Sequence, residues 1–144
     1  MANVKSTVAA ALDDGDRVPA ESDYARRRTS WVEFTVPAGG LAVNDTIELL
    51  EVPRGVRLLG GKIVFEAMST AAGTANVQLG DGTDADKYLG TTSVDAAGEA
   101  EFGHTAALNY GEKVADTFRL TATVLGEAWA AGQRLLVEVN MLND

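Results

Sequence analysis

The chain contains no cysteine, only three prolines and a single histidine among its 144 residues. The absence of cysteine excludes disulfide bonds, thiolate metal sites and a thiol nucleophile. No apolar run approaches the roughly 20 residues that a membrane-spanning helix requires. The N-terminus shows no basic segment followed by an apolar one, so we expect synthesis in the cytoplasm without a secretion signal.

Basic residues are too few to balance the acidic ones, and the formal net charge is −9. The whole imbalance lies after Thr29, because residues 1–29 carry five basic and five acidic groups. An acidic body repels phosphate groups and gains nothing from counterion release, which argues against nucleic acid and anionic membranes as partners. A surface charge of one sign is also an ordinary means of staying dispersed in water.

Aromatic residues make up only 6% of the chain while hydrophobic residues reach 46%, so the expected core consists of Val, Leu, Ile and Ala. Short apolar runs are separated by turn sequences such as those at 53–55 and 80–82, a pattern typical of short strands. Alternation is clearest in residues 117–124 and 134–141, where Leu136 alone interrupts it. We therefore predict an all-β fold, an antiparallel β-sandwich or jelly roll of about seven to nine strands.

The predicted strands share alternating or β-branched apolar residues and cover residues 31–36, 46–52, 56–66, 75–79, 87–89, 99–102, 117–124 and 134–141. Within the third of these, Gly60 and Gly61 predict a bulge or a sharp bend. Trp129, in the connection between the last two strands, is expected to plug the fold or to contact another subunit. Apart from its strand, the region 94–114 is expected to be a long loop or one helical turn.

Residues 1–29 show no alternation and differ in composition from the rest, so we expect an extended or weakly helical N-terminal arm before a sandwich domain at 30–144. Such an arm would become ordered against a partner. Its basic cluster is a candidate docking site, because arginines beside a tyrosine can bind an acidic surface. The candidate partner-binding residues are Tyr24, Arg26, Arg27 and Arg28. A solvated stretch before the first strand is the alternative, and three arginines are a weak footprint for nucleic acid.

Three carboxylates lie within six residues beside a glycine, at Asp81, Asp84 and Asp86. Oxygen ligands at this density could wrap a hard cation such as Ca²⁺, although the spacing is not that of an EF-hand loop. Acidic Asp-Gly turns between strands also occur without any ion. No other cofactor is expected.

Patterns for catalysis are absent from the sequence, which contains neither Gly-x-Ser-x-Gly nor His-Glu-x-x-His. His104 has no partner motif and is expected to be a loop or packing residue. Glu33, Glu48 and Glu51 could pair as glycosidase acids, but alternation favours outward surface positions. The aromatics could form a sugar-stacking platform or serve in packing and subunit contacts. These aromatics are Tyr24, Trp31, Tyr88, Tyr110 and Trp129.

A longer pattern of strands and turns covers roughly residues 30–141. It begins with a strand and turn at 31–39, followed by a segment at 44–55 that starts with Asn-Asp and ends with Pro-Arg-Gly. A strand that starts with Gly-Gly follows at 60–65, and the segment 75–89 contains Leu-Gly-Asp-Gly-Thr-Asp-Ala-Asp. This order of strands and turns resembles the small decoration, or head cement, proteins of tailed-bacteriophage capsids.

The resemblance implies a non-enzymatic virion protein that stabilises the capsid by binding its exterior. The implied partners are the major capsid protein of the same phage and further copies of the chain, with a homotrimer favoured and a dimer sometimes found. It also implies that the N-terminal arm extends over the shell surface. A tail or fibre component and a carbohydrate-binding receptor module are the alternative interpretations.

Overall fold

The computed structural model describes residues 26–106 and 109–143. These residues contain eight β-strands and no α-helix, and no helix among them is long and apolar enough to cross a membrane. The strands are β1 (Arg26–Thr35), β2 (Thr46–Val52), β3 (Val56–Phe65), β4 (Asn76–Gly80), β5 (Leu89–Ser93), β6 (Gly98–Phe102), β7 (Phe118–Leu125) and β8 (Arg134–Asn143). The prediction of an all-β sandwich is confirmed.

The strands form two four-stranded antiparallel sheets, ordered β1-β8-β3-β6 and β2-β7-β4-β5. The chain passes back and forth between them, and the first strand pairs with the last. Eight strands interleaved in this way over two sheets form a jelly roll. The sequence predicted either a β-sandwich or a jelly roll, and the strand order identifies the jelly roll.

Alternating side chains build the core between the sheets. In β7 and β8 every second residue is buried, including Leu120, Val124, Val137 and Val139. Because successive side chains of a strand point to opposite faces, each strand contributes one apolar row to the core and one row to the surface. The core contains the aliphatic residues that the composition predicts, with Trp129 as its largest fully buried side chain.

The glycine pair in β3 forms the predicted bulge. The register between β3 and β8 shifts between Leu58 and Gly60, and Gly60 has a φ of 105°, which residues with a side chain rarely adopt. A Cβ atom on Gly61 would overlap the backbone carbonyl of Glu138 on β8. Both glycines are therefore required by the close approach of the neighbouring backbones.

Strands β1 and β5 differ most from the sequence prediction, and the bounds of the other strands agree with it to within two residues. Strand β1 begins at Arg26, so residues 26–29 pair in the sheet and do not belong to the expected arm; the rest of that arm lies outside the described residues. Strand β5 begins at Leu89 and not at Lys87. The carbonyl groups of Lys87 and Tyr88 instead accept hydrogen bonds from the loop after β6, from the Thr105 N–H at 2.9 Å and the Gly103 N–H at 3.1 Å.

The connection between β7 and β8 fastens two other loops. Trp129, only 1% exposed, forms bridges to Leu41 and to Ser69, which confirms its predicted role as a plug. Nearby, the carboxylate of Glu127 accepts hydrogen bonds from the Ser69 hydroxyl and from the Ala72 N–H at 2.9 Å. Further donors to the carboxylate are Thr70 Oγ1, the Ala71 N–H and the Thr74 N–H.

This hydrogen bonding stabilises the charged form of Glu127. The bond from Ser69 and those from the backbone, led by Ala72, lower the pKa of Glu127 to about 2, against the opposing effect of burial. The ionised side chain therefore holds the loop between β3 and β4 in place. No signal in the sequence pairs a glutamate with a loop more than fifty residues away.

Candidate functional site

Asp81, the first member of the proposed cation loop, follows directly after β4. One of its oxygens accepts hydrogen bonds from the N–H groups of Thr83 and Asp84 at 2.9 and 2.8 Å. The other lies 3.1 Å from Lys87 Nζ. Burial alone would raise the pKa of Asp81, but the bonds from Asp84, Thr83 and Lys87 outweigh it and leave that pKa below its usual value. Both oxygens of Asp81 are thus occupied by protein donors.

The other two aspartates of this loop lie in solvent and interact with each other. A hydrogen bond with Asp84 raises the pKa of Asp86, and the repulsion between the two carboxylates acts in the same direction. In the described ranges, no three carboxylate or imidazole groups cluster closely enough to hold a metal ion. A site for Ca²⁺ at Asp81, Asp84 and Asp86 stays a prediction, and the structure brings only the last two together.

A cleft of about 530 Å³ lies between this loop, the loop that follows β6, and β7. Its wall contains an aromatic cluster in which Tyr88 stacks on Phe118 at 5.7 Å between ring centroids. The rings of His104 and Tyr88 form a T-shaped pair, also with 5.7 Å between centroids. His104 Nδ1 accepts the Ala106 N–H at 3.2 Å, and Nε2 lies 3.8 Å from Glu112. His104 therefore fastens its loop, in the packing role that the sequence favours.

The three glutamates considered as paired acids do not come together. Glu33 lies on β1 in one sheet, whereas Glu48 and Glu51 lie on β2 in the other. Glu48 forms an ion pair with Arg119 at 2.6 Å, and Glu33 lies 3.6 Å from Arg134. These are surface ion pairs across neighbouring strands, as alternation predicts.

The five aromatics do not form one sugar-stacking platform. Trp129 and Tyr88 are buried at 1% and 5% exposure, so their rings are not available to a ligand in solvent. Trp31 and Tyr110 are exposed, the first on the outer face of β1 and the second in the loop after β6. Tyr24 lies outside the described residues.

The basic cluster belongs to β1 and not to a loose arm. Residues 26–28 pair with residues 141–143 of β8. Because neighbouring residues of a strand point to opposite faces, Arg27 and Arg28 project from different sides of the sheet. Both side chains are exposed. Docking through them stays a prediction, but they do not form one continuous basic patch.

The outer faces of the two sheets differ in chemistry. Most outward positions on the β2-β7-β4-β5 sheet are polar, among them Thr46, Glu48, Gln78, Thr91, Arg119, Thr121 and Thr123, although Leu125 at the end of β7 is apolar. The other sheet carries an apolar strip, formed by Trp31, Val64 and Leu136. Leu136 lies opposite Val64 on β3 and diagonal to Trp31 on β1. The side chain of Trp31 is 66% exposed and that of Val64 is 38% exposed. Two signals in the sequence point to this strip, the interrupted alternation at Leu136 and the unbroken apolar run at 63–65. Clustered apolar side chains on an outer sheet face are a feature of contact surfaces.

No protein-family model matches the chain, and no curated protein is similar to it in sequence. Solved structures are similar in fold. A chain of the cyanophage Pam1 capsid asymmetric unit superposes with a TM-score of 0.72 at 17% identity, covering 89% of this chain and 92% of that chain. A chain of the Ralstonia phage GP4 capsid has a TM-score of 0.69 at 17% identity, with 89% and 90% covered.

A third similar chain comes from the acidic stable capsid structure of Helicobacter pylori bacteriophage KHP30. Its TM-score is 0.58 at 14% identity, covering 81% of this chain and 86% of that chain. At these identities the similarity concerns the fold. Three phage capsids thus contain a chain with the jelly-roll architecture described above.

Proposed function

We propose that this chain is a structural protein of a tailed-phage virion that decorates and stabilises the capsid from outside. The observation that carries the proposal is the extent of the structural similarity: about nine tenths of this chain superposes on about nine tenths of chains from the Pam1 and GP4 capsids. The match therefore covers nearly whole chains and is not limited to a shared substructure. Synthesis in the host cytoplasm and a final position on the capsid exterior belong to this proposal.

The surface chemistry fits a structural role. The aromatic and histidine side chains of the cleft are used in packing, and Glu33 and Glu48 form ion pairs, so we propose that the protein is not an enzyme. The apolar strip of Trp31, Val64 and Leu136 offers a face for protein contact, while the opposite face is mostly polar. If copies of the chain associate, they can engage several identical sites of a shell at once, so a weak contact per copy suffices for stable decoration.

The partners in this proposal are the major capsid protein of the same phage and further copies of the chain. A symmetric oligomer suits a shell with symmetry axes. The resemblance favours a trimer and allows a dimer. Residues 1–25 are the proposed docking arm, together with the exposed arginines at the start of β1.

Co-sedimentation with capsids tests the proposal. The purified full chain is mixed with capsids of the phage whose genome encodes it, before and after shell expansion, and pelleted through sucrose. We expect saturable binding to expanded shells. A chain that begins at Arg26 keeps the whole of β1 and serves to test the arm.

The possible results separate the parts of the proposal. Weaker binding of the shortened chain supports docking through the arm, and unchanged binding contradicts it while leaving decoration intact. If the full chain binds neither form of the shell, decoration is wrong. Binding to isolated tails or to bacterial cells would then favour the tail or receptor alternative.

A further inference from the structure

The free edge of β1 is suited to pairing with another strand. Strand β1 is the outermost strand of its sheet, and in the described part of the chain it pairs only with β8. Its register runs without a shift over ten residues, and it contains no proline. Edge strands present unpaired backbone N–H and C=O groups, and natural proteins often interrupt them with bulges or prolines. Neither device interrupts β1.

The direction of the backbone groups identifies which residues face the free edge. The Val36 N–H, just beyond β1, donates to the Gln133 carbonyl at 2.9 Å on the side of β8. Since backbone polar groups alternate in direction along a strand, even-numbered residues of β1 bond to β8 and odd-numbered residues face outward. These odd-numbered residues are Arg27, Thr29, Trp31, Glu33 and Thr35.

The same odd-numbered residues place their side chains on the outer face of the sheet, where all of them are exposed. Trp31 is the most exposed large apolar side chain among residues 26–106 and 109–143, at 66%. Glu33 lies 3.6 Å from Arg134, which in turn bonds to Glu66 at 3.1 Å. Within the described residues, Arg27 forms no ion pair. The edge therefore combines free backbone groups with an exposed apolar ring and opposite charges.

We propose that a second copy of this chain occupies this edge, by antiparallel pairing of β1 with the β1 of the second copy about a twofold axis perpendicular to the sheet. Such an axis keeps every residue on its own face, so that odd-numbered residues must oppose odd-numbered residues. A pairing centred on Ser30 places Arg27 opposite Glu33 of the second copy, and symmetry repeats this pair. Thr29 then lies opposite Trp31.

This register extends an existing row of charges across the interface. Arg27 of each copy extends the row of Glu33, Arg134 and Glu66 that belongs to the other copy. Among the other registers that oppose odd-numbered with odd-numbered residues, the one centred on Arg27 places the two Arg27 side chains against each other. The remaining ones oppose Arg27 with uncharged residues or with residues outside β1. Exposed ion pairs add little affinity, so the backbone ladder and the partial burial of Trp31 supply the attraction, while the charges select the register.

The proposal concerns the purified chain alone and does not depend on binding to a capsid. It specifies a dimer, where the resemblance favours a trimer. Sedimentation velocity over a concentration series of the full chain tests it. The wild type should sediment as a dimer at high concentration and dissociate on dilution.

Three substitutions locate the interface. Thr29→Pro removes an N–H from the free edge and leaves the ladder to β8 intact, so a folded monomer is expected. Arg27→Glu places like charges opposite each other twice and should raise the dimer dissociation constant at least about tenfold. Arg28→Glu makes the same change of charge on the other face of the strand and should have a much smaller effect. Circular dichroism checks that each variant is folded.

Several results would overturn the proposal. One is a wild type that stays monomeric or forms a trimer. Another is a dimer that neither Thr29→Pro nor Arg27→Glu weakens. If Thr29→Pro does not fold, the comparison of Arg27→Glu with Arg28→Glu decides alone. A monomeric full chain that dimerises only when it begins at Arg26 would show that residues 1–25 occupy the edge instead.

Discussion

Gly61→Ala tests whether the close approach of β3 to β8 governs the stability of the fold. Gly61 is paired with Val139 on one side and with Phe102 on the other. An added Cβ would overlap the carbonyl oxygen of Glu138 and would lie 2.9 Å from its carbonyl carbon and from Phe102 Cζ. Two of these atoms belong to the backbone, so a change of side-chain rotamer cannot relieve the overlap.

The expected cost follows from what must move. Strand β3 has to shift away from β8, which weakens about two ladder hydrogen bonds at roughly 0.5–1.5 kcal/mol each. Crowding in a packed interior adds roughly 1–3 kcal/mol. We therefore expect Gly61→Ala to lower the free energy of unfolding by about 4 kcal/mol. For a domain of this size the thermal midpoint should fall by roughly 10–20 °C.

Gly90→Ala is the matched control, because Gly90 also lies in a strand and a Cβ there would meet nothing within 4 Å. Its unfolding free energy should stay within about 1 kcal/mol of the wild type, since alanine restricts the unfolded chain slightly more than glycine does. Urea unfolding followed by the fluorescence of the buried Trp129 measures both variants. A loss below about 1 kcal/mol for Gly61→Ala would refute the reasoning.

Two further predictions concern carboxylates. The pKa of Glu127 is about 2 against an ordinary value of 4.5, so its contribution to stability is complete above pH 4.5 and is lost as the pH falls towards 2. Glu127→Gln should lower the thermal midpoint at pH 7 and flatten its dependence on pH in that window; profiles of equal slope would contradict this role. If Ca²⁺ binds the loop at 81–86, millimolar Ca²⁺ should raise the thermal midpoint, and Asp84→Asn should abolish the rise. An unchanged wild-type midpoint would contradict the cation site.

The sequence by itself determined the fold class and most of the strands. Alternation of period two is a local property, so it was readable for the last two strands without knowledge of their partners. Turn glycines are equally local, and the bulge at Gly60 and Gly61 was predicted because these residues interrupt an otherwise continuous strand. The burial of Trp129 and the packing role of His104 were also anticipated.

Only the tertiary structure decided which strands pair and which residues meet. The pairing of β1 with β8 joins residues more than one hundred positions apart, and periodicity does not reveal such pairing. Arg26 became part of a strand because β8 extends far enough to pair with it. Glu127 contacts the loop between β3 and β4 because the fold brings these two distant segments of the chain together.

The outer surface shows the same division between local and long-range information. The sequence showed that Leu136 breaks the alternation, but the register of three strands was needed to place it beside Val64 and Trp31. Likewise, within the described residues the outer edge of β1 has no neighbouring strand because the sheet order leaves β1 outermost. Local sequence sets which face of a strand is apolar, whereas neighbours distant in sequence decide whether that face or edge is covered.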